Sequence, residues 1–108
     1  MTIREWVEAA HTNAKSKGFW DSNTGAVPEK LCLVHSEISE ALEEWRRDGH
    51  MQVWYGEDGK PEGFPVELAD AMLRIMDLAG GMGVDLERAI QIKHEYNKSR
   101  PHLHGKRF

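Results

Sequence analysis

Apolar residues recur at helical spacing in four stretches of the chain. Ile3, Trp6, Val7, Ala10 and Ala14 form the first stripe, and Thr2 and Glu5 stand at the spacing of a capping box, so a helix is predicted over about 2–17. Gly18 stops it, and the Asp, Ser, Asn, Thr and Gly residues of 19–27 favour turns. Pro28 suits a first helical turn, after which Leu31, Val34, Ile38, Leu42 and Trp45 mark one face of a second helix ending before Gly49. Residues 48–65 lose the periodicity and carry four glycines and two prolines. Within them, Val53-Trp54-Tyr55 followed by Asp58-Gly59 predicts a small hairpin. The third helix, over about 66–80, is apolar on most sides through Val66, Leu68, Ala69, Ala71, Met72, Leu73, Ile75, Met76 and Leu78, as suits the inside of a bundle. Gly80-Gly81-Met82-Gly83 is expected to break it. Asp85 then caps a fourth helix whose inner face is Leu86, Ala89, Ile90 and Tyr96, and Ser99-Arg100-Pro101 ends that helix before an extended basic tail.

This pattern predicts an all-α fold: one domain over 1–108, a helical bundle of four main helices, with a basic tail over about 99–108. A chain of 108 residues buries only about 60 to 70% of its unfolded surface, so the core is thin and a second subunit would stabilise it. The bundle is therefore expected to be completed by dimerisation, in a dimer or tetramer. The net charge is −4 and no block of five like charges occurs, which argues against a nucleic-acid polymer as partner. Cys32 is the one cysteine, which excludes an internal disulfide and every multi-cysteine metal site and fits a reducing cytoplasm. With no apolar signal region and no run near eighteen apolar residues, neither export nor a membrane partner is expected.

Charge placement adds the chemistry. The second helix carries Glu37-Ile38-Ser39-Glu40 and the third Glu67-Leu68-Ala69-Asp70, each a carboxylate pair at i, i+3 and hence on one side of its helix. The segments 37–45 (EISEALEEW) and 67–75 (ELADAMLRI) match in pattern, so the two helices are expected to face each other through Ala41 and Ala71. Four carboxylates between two apolar helices repel one another unless a cation joins them. Oxygen ligands favour a hard ion, Mg²⁺ with Mn²⁺ as a substitute, and no histidine shares the spacing. Glu44 and Asp77, farther along nearly the same sides, are outer ligands or solvated charges.

These residues resemble the all-α nucleoside triphosphate pyrophosphatases of MazG type, whose signature is E-x-x-E, a spacer and E-x-x-D. Here it reads Glu37-x-x-Glu40, 26 residues, Glu67-x-x-Asp70, and the resemblance runs through Gly18-Phe19-Trp20-Asp21 and Asn97-Lys98-Ser99-Arg100-Pro101, over roughly 11–107. It implies hydrolysis of a nucleoside triphosphate, in many relatives a deoxynucleoside triphosphate, to the monophosphate and pyrophosphate, with Mg²⁺ held by Glu37, Glu40, Glu67 and Asp70. By the same analogy Glu37 or Glu40 takes the proton of the attacking water. Lys93 and Asn97, at i, i+4 on the fourth helix, match the family's triphosphate-binding positions, and Arg100 follows closely. Lys98 reads more simply as a basic helix end.

Among the aromatics, Trp6 and Trp45 lie on inner helix faces and are expected to pack, whereas Trp20 and Trp54 lie in loops, where stacking on a nucleobase and packing are equally open. Cys32 and His35 are expected in the core or an interface. Two other functions compete. Phosphoribosyl-ATP pyrophosphohydrolase shares the fold and chemistry, though 48–65 does not resemble that group, and a non-enzymatic helical interaction module would use the acids only as surface charge or for a structural ion.

Overall fold

The computed structural model describes residues 1–21, 27–48 and 51–106. The predicted turns at 22–26, the stop at Gly49 and the last two tail residues lie outside the described residues. Helix α1 (Ile3–Ser16) opens on the expected capping box: Glu5 N–H donates to Thr2 Oγ1 at 3.1 Å and Thr2 N–H to Glu5 Oε1 at 2.8 Å. Helix α2 (Val27–Asp48) carries Pro28 in its first turn, where the missing N–H has no helical partner to lose.

The hairpin forms as the sequence predicts. Strands β1 (Trp54–Tyr55) and β2 (Pro61–Glu62) pair antiparallel, with Trp54 opposite Glu62 and Tyr55 opposite Pro61. Gly56 N–H donates to Lys60 O at 2.9 Å and Lys60 N–H to Asp58 Oδ1 at 3.0 Å, which closes the turn.

Helix α3 (Phe64–Met82) runs through the glycines expected to break it. Packing explains why they are there: a Cβ on Gly80 would lie 2.7 Å from His11 Cβ, and one on Gly81 would fall inside the Trp20 ring. The pair lets α1 and Trp20 approach the helix backbone. Only Gly83, left-handed at φ 69°, ends the helix. Asp85 caps helix α4 (Leu86–Lys98) by accepting from Arg88 N–H at 3.1 Å. Arg4 joins the start of α1 to that of α4, with 3.0 Å to Asp85 and 2.6 Å to Glu87. The tail is not extended, because His102–Gly105 makes a 3₁₀ turn in which Lys106 N–H reaches Leu103 O at 2.8 Å and Gly105 takes φ 78°.

Helix α3 is the centre of the fold, packed against α2 on one side and α1 on the other, while α4 leans chiefly on α1. Ala41 and Ala71, expected at the α2–α3 crossing, are each 3% exposed, and Met76 and Ala79 are the other buried apolar residues described. The Trp45 ring packs 6.1 Å from that of Phe64, as expected, yet within one chain Trp6 and Trp45 stay 44% and 50% exposed. Ile90 and Tyr96 on α4 and Cys32 and His35 on α2 are exposed as well. A compact 12.3 kDa chain presents about 6,100 Å² of accessible surface; this one presents 8356 Å². Its radius of gyration is 16.4 Å, against about 13 Å for a compact chain of this length. No helix among the described residues is long and apolar enough to cross a membrane.

Candidate functional site

The i, i+3 spacing turns both carboxylate pairs toward the α2–α3 contact. Ligand-capable oxygens of Glu37 on α2 and of Glu67 and Asp70 on α3 all lie within 4.8 Å of one another. Glu37 is only 7% exposed. Its Oε1 accepts from Arg74 Nε at 2.8 Å, and its Oε2 is buried with no hydrogen-bond partner. Oε2 of Glu67 is likewise buried and unpartnered. An orphaned carboxylate oxygen is costly, and Glu37 and Glu67 place two of them in one cluster.

The carboxyls of Glu67 and Asp70 are both raised above their ordinary values. Burial, then the Glu40 carboxylate accepting from the protonated Glu67, and repulsion by Glu40, Asp70 and Glu37, push the Glu67 carboxyl up to about 7. Asp70 is raised too, by burial and then by Glu37, with Arg74 and Lys60 pulling the other way. Thus three of the four predicted acids form a close group, and the exposed Glu40 lies outside it but near enough to raise Glu67.

Beside the acids lies an open cavity of about 490 Å³ between α1, α2 and α3. Glu37, Asp70 and Asp77 line its acidic side, Lys30 and Arg74 give it two cations, and Phe19, Leu33 and Leu73 give it apolar wall. The cavity thus combines apolar surface with a few charged groups. Lys30 and Arg74 escaped the sequence reading. The signal for Arg74 was its position four residues after Asp70, which puts a cation on the same face of α3 as the acids.

Other predicted residues take different places. Trp20 packs against α3: its Nε1–H donates to Asp77 Oδ1 at 2.9 Å, its ring meets that of His11 edge-on at 5.0 Å, and Lys30 Nζ sits 4.0 Å from its ring centroid. Asp77 is neither a ligand in the acid group nor a free surface charge, because it also stands 2.9 Å from His11 Nδ1. Glu44 pairs with Arg47 at 2.8 Å. Trp54 has the Arg47 guanidinium 5.1 Å from its ring. Lys93 and Arg100 flank the Tyr96 ring on α4, at 4.9 and 5.6 Å, and Asn97 Oδ1 is buried without a partner. None of Lys93, Asn97 and Arg100 lines the cavity within one chain.

Comparison with family models, with curated proteins and with solved structures finds no match to the chain.

Proposed function

We propose that the protein is a Mg²⁺-dependent nucleoside triphosphate pyrophosphohydrolase of MazG type, acting on a deoxynucleoside triphosphate to release the monophosphate and pyrophosphate. The observation that carries this reading is the pair of buried, unpartnered carboxylate oxygens on Glu37 and Glu67, in one cluster with Asp70 beside a cavity that also holds Lys30 and Arg74. An all-oxygen donor set of this charge fits a hard divalent cation.

Glu37, Glu67 and Asp70, with Glu40 at the open edge, would hold Mg²⁺ or, as a substitute, Mn²⁺. Bound there, the ion neutralises triphosphate charge and makes a coordinated water more acidic. The chain's own residues then divide the remaining work. Lys30 and Arg74 supply positive charge toward the phosphates along the cavity, and Phe19, Leu33 and Leu73 offer apolar surface to the base. Glu40 is assigned as general base, because it is exposed and outside the close trio, whereas Glu37 already commits one oxygen to Arg74.

The enzyme is proposed to work as a homodimer or a higher assembly of dimers. Roughly 2,000 Å² of surface per chain exceeds what a compact monomer shows, and burying it against a second copy gives an interface of about 4,000 Å², within the obligate range. Leu42, Trp45, Leu68 and Met72, all more than 40% exposed, supply the apolar character such an interface needs. In that assembly Lys93, Asn97 and Arg100 are proposed to reach a triphosphate bound to the neighbouring chain.

The test is pyrophosphate release from a panel of ribo- and deoxynucleoside triphosphates with Mg²⁺ and with EDTA, separating monophosphate from diphosphate. Metal-dependent monophosphate formation is the expected result. Turnover of phosphoribosyl-ATP alone would refute the substrate, and folded protein that turns over neither would refute the enzyme and favour an interaction module.

A further inference from the structure

The acid group contains a cation of its own. Arg74 stands one helical turn after Asp70 on α3, and its Nε donates to Glu37 Oε1 at 2.8 Å. Glu37 is the one buried charged residue described, at 7% exposure, so its carboxylate has little freedom to rotate away from that bond. The two oxygens are thereby made unequal: Oε1 is taken by a charge-assisted hydrogen bond, and Oε2 is buried without a partner. A carboxylate held in this way offers a metal Oε2 freely, and Oε1 only at the cost of weakening its bond to Arg74.

We propose that Arg74 is a positioning residue that sets which divalent cation the site accepts, by restricting Glu37 to single-oxygen ligation. The inference rests on the metal-dependent reading above. Ca²⁺ takes about six to eight oxygens at about 2.3 to 2.6 Å and commonly uses both oxygens of a carboxylate, whereas Mg²⁺ needs a near-octahedral set at about 2.0 to 2.1 Å, with single carboxylate oxygens and retained waters. Withholding Oε1 therefore costs Ca²⁺ a ligand that Mg²⁺ does not need. The guanidinium also offsets part of the site's negative charge, and added negative charge would strengthen any divalent ion without distinguishing between them. The preference thus comes from the geometry of the bond, while its charge changes only overall affinity.

The experiment uses Mn²⁺ as the probe. Free Mn²⁺ is followed by electron paramagnetic resonance while Ca²⁺ or Mg²⁺ displaces it from wild type, Arg74→Met and Arg74→Lys, and the ratio of the two displacement constants is compared. Arg74→Met frees Oε1 and shifts the ratio toward Ca²⁺ by about tenfold or more, the scale on which outer-shell partners alter metal affinity. Arg74→Lys, which still offers a donor to Oε1, restores most of the Mg²⁺ preference. A purely structural ion pair would lower thermal stability in Arg74→Met and leave the ratio unmoved; that result overturns the inference. If Arg74→Met does not fold, Arg74→Leu, which also lacks a donor, replaces it with the same expected direction, and an unchanged ratio there is equally fatal. Wild type that binds no Mn²⁺ at all would instead overturn the metal-dependent reading itself.

Discussion

Replacing Glu67 by Gln removes one negative charge from the acid cluster while keeping the shape of the side chain. The Glu67 carboxyl is raised from 4.5 to about 7, first by burial and then by Glu40 and the other acids. A raised carboxyl means that the folded chain holds a proton the unfolded chain gives up. Stability therefore falls as pH rises from about 4.5 to about 7, and the full penalty is present above that window. A shift of this size corresponds to about 3 kcal/mol, which solvent screening at the open edge reduces to about 1 to 2 kcal/mol. In a domain of this length that is a fall in Tm of about 5 to 15 °C between pH 4.5 and pH 8. Thermal unfolding followed by circular dichroism, in EDTA and at both pH values, reads it directly. Glu67→Gln should remove the part of the pH dependence that lies in this window and raise Tm at pH 8, and Mg²⁺ should stabilise wild type at pH 8 more than the variant. Wild type with a flat profile through the window, or a variant no more stable than wild type at pH 8 in EDTA, would refute the reasoning.

Three further outcomes are expected. Gly81→Ala drives a methyl group into the Trp20 ring, so it should cost about 1 to 3 kcal/mol and change the tryptophan fluorescence; a neutral effect in chemical denaturation would mean that Trp20 does not seat on α3. Met72→Glu places a charge on the outer face of α3, where Met72 is 52% exposed, and sedimentation should show smaller particles with helicity retained, whereas an unchanged assembly would exclude that face from the interface. Glu40→Gln should lower turnover by about 100-fold or more, a loss within the range supplied by general base catalysis, while Mn²⁺ binding persists through the close trio; undiminished hydrolysis would remove Glu40 from the chemistry.

The parts of the fold that depend on local rules were legible in the sequence. The Thr2–Glu5 capping box, Pro28 in the first turn of α2, the hairpin around Asp58-Gly59 and the Asp85 cap are each specified by a few neighbouring residues, and each forms as expected. The acid pairs were legible too, because i, i+3 spacing on two apolar helices leaves them one shared direction. What escaped depends on residues distant in the chain. Gly80 and Gly81 read as a helix break because their partners, His11 and Trp20, lie some sixty residues earlier. Arg74 is unremarkable beside Ile75 until Glu37 is brought to it from another helix. The inner faces assigned to Trp6, Trp45 and Ile90 are real stripes by spacing, yet periodicity names an apolar face without naming what covers it, and within one chain these faces remain open.

The proposed enzyme needs a divalent cation at the orphaned oxygens of Glu37 and Glu67 to cleave a nucleoside triphosphate. Product analysis after incubation of the folded protein with deoxynucleoside triphosphates, with Mg²⁺ or with EDTA, tests it most directly. Monophosphate and pyrophosphate in equal amounts with Mg²⁺, and neither with EDTA, is the expected result. Release of diphosphate and inorganic phosphate, or products that persist unchanged in EDTA, would contradict it.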